Sequence, residues 1–345
     1  MILAGDIGGT NTRLAVFTIK SGKLVIRERR DFKNAGRAAL APIVQEFLST
    51  EARNPADKSG GESSSKIKLA CFGVAGPVKD GRATMTNLKW TLDEKKLSTS
   101  LKIPQVKLIN DLVAHAEGIN ELRPSDALAL YRGKATPRGN RAILAPGTGL
   151  GEAGLVYDDR TKDFRAFASE GGHSDFAPRD EREAALWRFI RGRLGRCSWE
   201  DVLSGPGLKN IFDFLTSPGE FHVPSAHPGC EAAPAEISSA AVNDECPASI
   251  AAVEMFAALY GAEAGNLALK MLATGGVYIG GGIASYIVKF LKQPRLRAAF
   301  AGKGPTSIRE LLQRIPIYVI TSNDGALFGA AHFAQRLLGE VRVKR

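Results

Sequence analysis

Apolar and polar positions alternate along the first third of the chain in two patterns. Short apolar runs bounded by glycine or polar residues are typical of strands, and apolar positions spaced three and four apart are typical of helices. The predicted strands cover 2–7, 13–19, 23–28, 67–74 and 106–110. The predicted helices cover 37–50 and 111–120. Strands that alternate with helices in this way indicate an α/β fold.

Two segments interrupt the pattern, and a long helix follows them. The polar stretch at 54–66 predicts an exposed loop, and 216–248, rich in Pro, His, Cys and Ser without clear periodicity, predicts a surface excursion. The stretch "ASIAAVEMFAALYGAEAGNLALKML" predicts a long helix buried on most of its faces. After it, "GGVYIGGGIA" reads as a strand bracketed by glycines.

A short internal repeat is the most informative pattern. "LAGDIGGTNTRLAV" from Leu3 matches "LAPGTGLGEAGLVY" from Leu144 in Leu, Ala, Gly and Leu at a single offset. The match predicts two strand-turn-strand units built alike, although it is short enough to arise by chance. The second copy has Gly147 where the first has Asp6, which predicts a phosphate cradle without a metal-positioning acid.

The turn of the first copy concentrates polar chemistry. Asp6 ends a strand, Gly8 and Gly9 let another group approach the backbone closely, and Thr10 and Asn11 add short hydrogen-bonding side chains. This combination suits a phosphate with a metal ion nearby. Taken alone, the turn is equally typical of an ordinary glycine hairpin.

Composition narrows the class of protein. A chain of 345 residues with 44% hydrophobic content predicts a water-soluble protein of two α/β domains. The formal charge of +10 is spread along the chain, so it fits both an anionic ligand and simple solubility. No basic helix is evident, which disfavours nucleic-acid binding. No apolar run reaches membrane-spanning length, and a strand from residue 2 leaves no room for a signal peptide.

The four cysteines, at positions 71, 197, 230 and 246, show no CxxC spacing. This pattern argues against a disulfide framework or a cysteine zinc site and predicts a reducing compartment. Cys71 lies within an apolar run, so we expect a buried structural thiol.

Two common nucleotide-binding motifs can be set aside, one because of its context and one because it does not occur. "GLGEAG" at 149–154 has dinucleotide-binding spacing, with Glu170 near the distance of a ribose-binding acid, but strand, turn and strand follow where a helix is required. No GxxxxGK[ST] loop occurs in the chain.

Asn110 and Asp111 stand where a predicted strand passes into a helix. Carboxylates at strand ends of α/β folds face the crevice that binds ligands. For Asp111 taken alone, capping the helix is the more ordinary role.

Two further clusters carry polar groups. "SEGGHSDFAP" gathers Glu170 and His173 around two glycines, which disfavour the helix that a metal pair at this spacing needs. A loop that aims hydrogen bonds at hydroxyl groups is the better interpretation. Glu200 stands between Ser198 and Asp201, which together resemble a helix capping box.

Eight motifs together give the chain a close resemblance to the bacterial-type glucokinases, ATP-dependent sugar kinases of the superfamily that includes hexokinase and actin. In chain order they are "GDIGGTN", "MTNLKW", "LINDL", "APGTGLGEA", "EGGHSDFAP", "LSGPGL", "GGVYIGGGIA" and "GALFGAAHFA". They span nearly the whole sequence. The cysteine zinc cluster of the related repressor and kinase family is absent from the sequence, which favours the metal-free branch.

The resemblance implies two RNase H-like α/β lobes with an active site in the cleft between them. The expected small lobe covers 1–120 and is completed by a C-terminal helix in 322–345, and the large lobe covers 121–321. The implied substrates are ATP with Mg²⁺ and glucose, in a cytoplasmic enzyme that binds neither membrane nor nucleic acid. The oligomeric state, monomer or homodimer, stays open.

The resemblance also assigns residues by motif. The implied ATP-binding residues are Asp6, Gly8, Gly9, Thr10, Asn11, Gly147, Thr148, Gly149, Gly281 and Gly282. Asp6 would orient the magnesium shell through water. The implied sugar-binding residues are Asn110, Asp111, Glu170, His173 and Glu200, with Asp111 as the general base.

Three alternatives remain at this stage. A kinase of the same fold could act on fructose or mannose, and an actin-like or chaperone-like ATPase would hydrolyse ATP without any sugar. A sugar-sensing repressor is disfavoured, since a phosphate loop at residue 6 leaves no room for a preceding DNA-binding module.

Overall fold

The computed structural model describes residues 1–51, 67–85, 88–224 and 233–343, so the predicted loop at 54–66 and Cys230 lie outside the described residues. The strands of the described part are β1 (Ile2–Ile7), β2 (Asn11–Lys20), β3 (Lys23–Lys33), β4 (Leu69–Val74), β5 (Val78–Lys79), β6 (Arg82–Met85), β7 (Trp90–Asp93), β8 (Val106–Asn110), β9 (Ala127–Tyr131), β10 (Arg141–Pro146), β11 (Leu150–Asp158), β12 (Asp163–Ser169), β13 (Gly276–Ile279) and β14 (Ile317–Ile320). The helices are α1 (Leu40–Glu51), α2 (Glu94–Leu101), α3 (Asp111–Gly118), α4 (Glu181–Leu194), α5 (Gly205–Thr216), α6 (Pro234–Val242), α7 (Pro247–Lys270), α8 (Gly282–Tyr286), α9 (Val288–Leu291), α10 (Pro294–Ala301), α11 (Thr306–Arg314) and α12 (Gly325–Val343).

The chain divides into two compact units. Unit 1 comprises Met1–Arg123 and Ser322–Arg345, and unit 2 comprises Pro124–Thr321. In the described part of the chain, no helix is both long enough and apolar enough to cross a membrane.

Unit 1 is built on a sheet with the strand order β3-β2-β1-β4-β8. Its central strand β1 runs antiparallel to β2 and parallel to β4. Leu3 and Ile7 pack into a core with α1 on one face, and Ile2 and Ala4 pack into a second core with α12 on the other. Because both faces are covered, β1 is apolar until Asp6, at the end of the strand.

Unit 2 repeats this topology on a larger scale. Its sheet has the order β12-β11-β10-β13-β14-β9, with β10 antiparallel to β11 and parallel to β13. The strand pair β10–β11 therefore stands where β1–β2 stands in unit 1, and the predicted repeat is confirmed. The long helix α7 is buried along most of its length, with Tyr260 fully enclosed.

Glycines allow very close helix contacts in each unit. In unit 1, a methyl group on Gly329 of α12 would overlap the carbonyl oxygen of Ala114 in α3, and one on Gly118 would overlap that of Gly325. A buried ion pair reinforces this contact: both terminal nitrogens of Arg336 donate to the Glu117 carboxylate at 2.8 Å. Helix α3 is therefore held rigidly behind the residue that begins it.

The prediction of a surface excursion over 216–248 is wrong at Pro234–Val242. Helix α6 forms there, begins at Pro234 and buries Ile237 and Ala241 in the core of unit 2. Small apolar residues interrupted by serines gave this helix no visible periodicity. The pattern also missed α2 and the small sheet β5-β6-β7. Among the finer predictions, the buried Cys71 and the β11–turn–β12 succession after "GLGEAG" are confirmed.

Candidate active site

The β1–β2 turn is fixed from below by one buried side chain. The Asn34 amide nitrogen donates to the Gly8 carbonyl at 2.9 Å, and the Asn34 amide oxygen accepts the Thr12 hydroxyl at 2.7 Å. Both Asn34 and Thr12 are buried, so these bonds are protected from competing water. The turn is therefore preorganised rather than a free glycine hairpin.

Two amides of this turn remain available for a ligand. The Gly8 amide donates to the Asn11 carbonyl at 3.0 Å and is already used. Among the described residues, no acceptor takes the amides of Gly9 or Thr10. Of the predicted phosphate-binding residues Gly8 to Asn11, only these two therefore offer a free backbone donor. The polar side chains of Thr10 and Asn11 are exposed beside them.

Asp6 has a cationic partner in its own unit. It pairs across the strands with Arg13, whose terminal nitrogen lies 3.1 Å from the Asp6 carboxylate. Within the described ranges, no group of three or more His, Cys, Asp or Glu is arranged to hold a metal ion. A magnesium ion that arrives with a nucleotide keeps most of its water and phosphate ligands and needs only one or two carboxylates. Asp6 fits that limited role.

Asn110, not Asp111, caps helix α3. The Asn110 side-chain oxygen accepts the backbone amides of Leu112 and Val113 at 2.9 and 3.3 Å. The helix-capping role expected for Asp111 taken alone is therefore wrong, because Asp111 is the first residue of the helix and not its N-cap. One of its oxygens accepts the Leu112 amide at 2.9 Å.

Asp111 stands at the same sheet edge as Asp6. Strands β1, β4 and β8 are parallel, and Asp6 is in register with Gly73, which in turn is in register with Ile109. Helix α3 approaches closely over Gly73, where a Cβ atom would lie 2.8 Å from that of Ala114. The two carboxylates thus share the carboxyl edge of one sheet, where α/β folds bind ligands.

The surroundings of Asp111 make it more basic than an ordinary aspartate. Burial raises its pKa, and the negative charge of Asp6 raises it further, while the nearby His115 acts in the opposite direction. A carboxylate of raised pKa accepts a proton more readily than a solvated one.

The β10–β11 turn of unit 2 is held by different partners. The Gly147 amide donates to the Gly149 carbonyl, and the Gly147 carbonyl accepts the Gly205 amide at the start of α5, both at 2.8 Å. Within the described part of the chain, the amides of Thr148 and Gly149 have no acceptor. This turn therefore also has two backbone amides without an acceptor, as the first turn does.

The predicted adenosine loop adjoins this turn. Gly281 has a φ of +87°, and a side chain there would overlap the Pro146 carbonyl oxygen at the end of β10. Gly282 begins the short helix α8. The structure therefore brings the 147–149 and 281–282 glycines to one edge of the unit 2 sheet.

Glu200 connects the β10–β11 turn to residues 170–173, which carry two of the predicted sugar-binding side chains. Its carboxylate accepts the Leu150 amide at 2.9 Å, and its own amide donates to the Gly172 carbonyl at 2.8 Å. The other carboxylate oxygen lies 3.9 Å from Nδ1 of His173. Three sugar-site candidates, Glu170, His173 and Glu200, thus belong to one local structure in unit 2, with Glu170 and His173 exposed.

Two local expectations need correction. Ser198 and Asp201 hydrogen-bond to each other, but within a turn, and the nearby helix α5 is capped by Ser204, whose hydroxyl accepts the Gly207 amide at 3.0 Å. Gly171–His173 forms one 3-10 turn where the two glycines had argued against helix. A single turn is short enough to tolerate them.

Sequence reasoning missed the residues that support the site from beneath. Asn34 and Arg13 belong to unit 1, and two buried glutamates, Glu152 and Glu263, belong to unit 2. The sequence does contain one indication for Glu152, since an acidic residue within an apolar strand must find a partner. It contains none for Asn34, because an asparagine after a strand is ordinary.

The comparisons with known proteins agree over the full length. The family model described as Glucokinase matches residues 3–337. A glucokinase of Nostoc sp. is 38% identical, covering 98% of this chain and 99% of the relative, and one of Yersinia pestis is 33% identical, covering 98% and 97%.

Solved structures add the fold. A glucokinase from an Antarctic psychrotroph superposes with a TM-score of 0.82 at 30% identity, covering 96% of this chain and 98% of that one. A ROK family glucokinase from Streptomyces griseus, solved with glucose and AMPPNP, has a TM-score of 0.60 at 20% identity, covering 97% and 99%, and supports the fold alone. With a family model that matches residues 3–337 and full-length relatives above 30% identity, this chain belongs to the glucokinase family.

Proposed function

We propose that this protein transfers the γ-phosphoryl group of ATP to the 6-hydroxyl of glucose, producing glucose 6-phosphate and ADP. The observation that carries the mechanism is Asp111, a partly buried carboxylate of raised pKa that is not used to cap its helix. The glucose hydroxyl oxygen attacks the γ-phosphorus, the bond from that phosphorus to ADP breaks, and Asp111 takes the hydroxyl proton.

The free amides support phosphate binding by both units. Gly9 and Thr10 in unit 1 and Thr148 and Gly149 in unit 2 supply backbone donors that need no rearrangement to accept an anion. Mg²⁺ bound with ATP would supply neutralisation of the phosphate charge, and Asp6 would hold its water shell. Gly281 and Gly282 would face the adenosine.

Sugar recognition is assigned to hydrogen-bonding side chains. Asn110 and Asp111 from unit 1 and Glu170, His173 and Glu200 from unit 2 would bind the hydroxyl groups. A site of this kind discriminates strongly, because a sugar that lacks or inverts one hydroxyl leaves a protein group unpaired. The resemblance further supports a cytoplasmic enzyme that supplies glycolysis.

A sugar panel tests the proposal. ADP release is measured by a coupled assay with glucose, mannose, fructose and no sugar, and light scattering on the same sample distinguishes monomer from homodimer. We expect turnover with glucose and little without sugar. Turnover that ignores sugar would make the protein an ATPase, and a preference for mannose or fructose would reassign the substrate.

His173→Ala refines the sugar assignment on the same panel. The glucose KM should rise and discrimination among sugars should weaken, since one donor is lost. His222→Ala is the matched control, because His222 is exposed in unit 2 and its ring contacts only the Ser217 carbonyl in the described hydrogen bonds. An unchanged sugar profile in folded His173→Ala would contradict the assignment.

A further inference from the structure

Two carboxyl groups are buried behind the sugar loop, defined here as residues 170–173. Glu152 on β11 is 1% exposed and Glu263 on α7 is 0% exposed. They lie close enough to hydrogen-bond to each other. The proposed transfer reaction uses neither.

The hydrogen bonds around this pair do not satisfy two negative charges. Among the described residues, no donor bonds either oxygen of Glu152, and the Oε1 atom of Glu263 has only an ion pair with the Lys270 ammonium at 3.5 Å. The Oε2 atom of Glu263 accepts the Asn266 amide at 2.7 Å. Two negative charges buried with so few donors strongly disfavour the doubly ionised pair, whereas one proton between the groups supplies the missing donor.

The surrounding cations compensate the pair only in part. Lys270, half exposed, lies 3.5 Å from Glu263, and Lys303 donates to the Asn266 oxygen at 2.7 Å. Burial, together with the positive charge of Arg179, which is itself paired with Glu183, lowers the pKa of Lys303 to about 8. The local charge balance therefore still favours a protonated carboxyl.

The titration of the pair has a clear direction. Burial raises the pKa of Glu152 to about 8, and the Glu263 carboxylate contributes in the same direction. Burial also raises the pKa of Glu263. The pair thus holds a proton at neutral pH and releases it in mildly alkaline solution.

Glu152 forms the floor of the sugar loop. A methyl group on Gly171 would overlap the Oε2 atom of Glu152. Glu152 also pairs across the strands with Ser169, whose hydroxyl accepts the Gly171 amide at 3.0 Å. The Gly171 carbonyl in turn accepts the Ser174 hydroxyl at 2.6 Å. A shift of the Glu152 carboxyl therefore displaces Gly171 and, with it, His173.

We propose that Glu152 and Glu263 share one proton and that this pair holds Gly171–His173 in the conformation that binds the sugar. Glu152 is a positioning residue, and the proposal rests on the proposed sugar-binding role of this loop. Loss of the proton leaves two like charges beneath Gly171, whose repulsion moves the turn. Glucose binding then weakens in alkali, while ATP binding, through other loops, does not.

The first experiment measures KM for both substrates from pH 6.5 to 9. If only the protonated pair holds the loop, a pKa of about 8 makes the glucose KM rise roughly tenfold between pH 7 and 9. The ATP KM should stay level. In Glu152→Gln, whose amide donates to Glu263 without needing a proton, the alkaline rise should disappear. Glu220→Gln, an exposed acid of the same unit, should behave as wild type.

Two outcomes of this experiment overturn the proposal. One is a glucose KM that does not change with pH in the wild type. The other is an alkaline rise that persists in Glu152→Gln. Glu152→Ala, should it fold, ought to show a raised glucose KM at every pH, because it removes the floor of the loop as well as the proton.

The second experiment needs no sugar and separates this proposal from the proposed function. Hydrogen exchange of residues 169–174 is compared at pH 9, where we expect faster exchange in the wild type than in Glu152→Gln. The folded pair keeps a proton that an unfolded glutamate, of ordinary pKa 4.5, releases, so wild-type Tm should fall from pH 5 to 8 more steeply than that of the variant. If glucose is not phosphorylated but these differences appear, the function fails and the proton pair stands. Equal exchange and equal Tm slopes would overturn the pair itself.

Discussion

The two turns at 8–11 and 147–149 are built on the same strands but carry different chemistry. Each joins the central strand of its sheet to an antiparallel neighbour, and each leaves two backbone amides without an acceptor in the described structure. The first turn has Asp6 before it and Asn34 beneath it. The second has Gly147 at the matching position and is held by Gly205 and Glu200.

This difference shows how a duplicated scaffold divides its tasks. Both turns offer free backbone amides, and such amides can bind an anion of any kind. What separates them is the set of side chains at the sheet edge: Asp111 follows β8 in unit 1, whereas Thr321 follows the corresponding strand β14 in unit 2. A carboxylate at this strand end is therefore present in unit 1 and not in unit 2, so the two units differ here in their side chains rather than in their fold.

The largest expected effect comes from removing Asp111, the carboxylate that unit 2 lacks at the corresponding strand end. Asp111→Asn retains the shape and a sugar contact but cannot accept a proton, so kcat should fall by about 10²–10⁴-fold. Calorimetric titration should show that glucose still binds. Asp80→Asn, on an exposed turn of the same unit, is the control and should leave kcat unchanged.

Near-normal kcat in Asp111→Asn would contradict the base assignment and would remove the main difference between the units. Lost glucose binding with kcat retained at saturation would instead make Asp111 a sugar-positioning group.

The next effect concerns the helices behind the two sheets. A methyl group on Gly329 would overlap the Ala114 carbonyl in unit 1, and one on Gly261 would overlap the Leu296 carbonyl in unit 2. Each Gly→Ala change should lower the free energy of unfolding by about 1–3 kcal/mol, because two helices must separate. Chemical denaturation measures this loss.

Gly192→Ala is the matched control for that experiment. Nothing lies within 4 Å of a Cβ atom built on this glycine of α4, so alanine should stabilise the protein by about 0.5–1 kcal/mol through its helix propensity. Only Gly329→Ala should also lower kcat, since α12 supports the helix that begins at Asp111. Equal loss of kcat in Gly261→Ala would show that the units do not differ in this respect.

A smaller effect tests how each turn is fixed. Asn34→Ala leaves the Gly8 carbonyl and the Thr12 hydroxyl without their partner. Losing the two hydrogen bonds that hold the turn should weaken ATP binding by about 1–2 kcal/mol. The ATP KM should therefore rise about 5–30-fold, while the glucose KM changes little. Steady-state kinetics with each substrate varied in turn measure both constants. Asn243→Ala, at an exposed position, is the control. A rise confined to the glucose KM would assign the first turn to the sugar.

The smallest effect is a shift in pH dependence. The reaction needs Asp111 as the carboxylate, so kcat/KM should fall as pH falls through its raised pKa. Asp6→Asn removes a charge that raises this pKa and should move the acid midpoint downward. Asp31→Asn, an exposed acid 3.9 Å from the same Arg13, should not move it. An unchanged midpoint in Asp6→Asn would show that the two carboxylates do not interact.

Much of the fold could be predicted because its signals are local. The apolar runs of β1, β4 and β8 and the glycine turn after Asp6 are each contained in fewer than about ten residues. The repeat was visible because both copies need the same strand-turn-strand pattern. Helix α6 was missed, since its buried face consists of small residues that carry little hydrophobic contrast.

In the candidate site, too, the features that could be predicted are those that depend on neighbouring residues in the chain. The sequence by itself determined the α/β class, the duplicated turns and the motifs that indicate a sugar kinase, because each depends on neighbours along the chain. Only the tertiary structure decided that Asn110 rather than Asp111 caps α3, that Asn34 supports the first turn, and that Glu152 meets Glu263 beneath the sugar loop. These contacts join residues that are distant in sequence, or choose between adjacent ones by geometry, and burial then sets the protonation of their carboxyl groups.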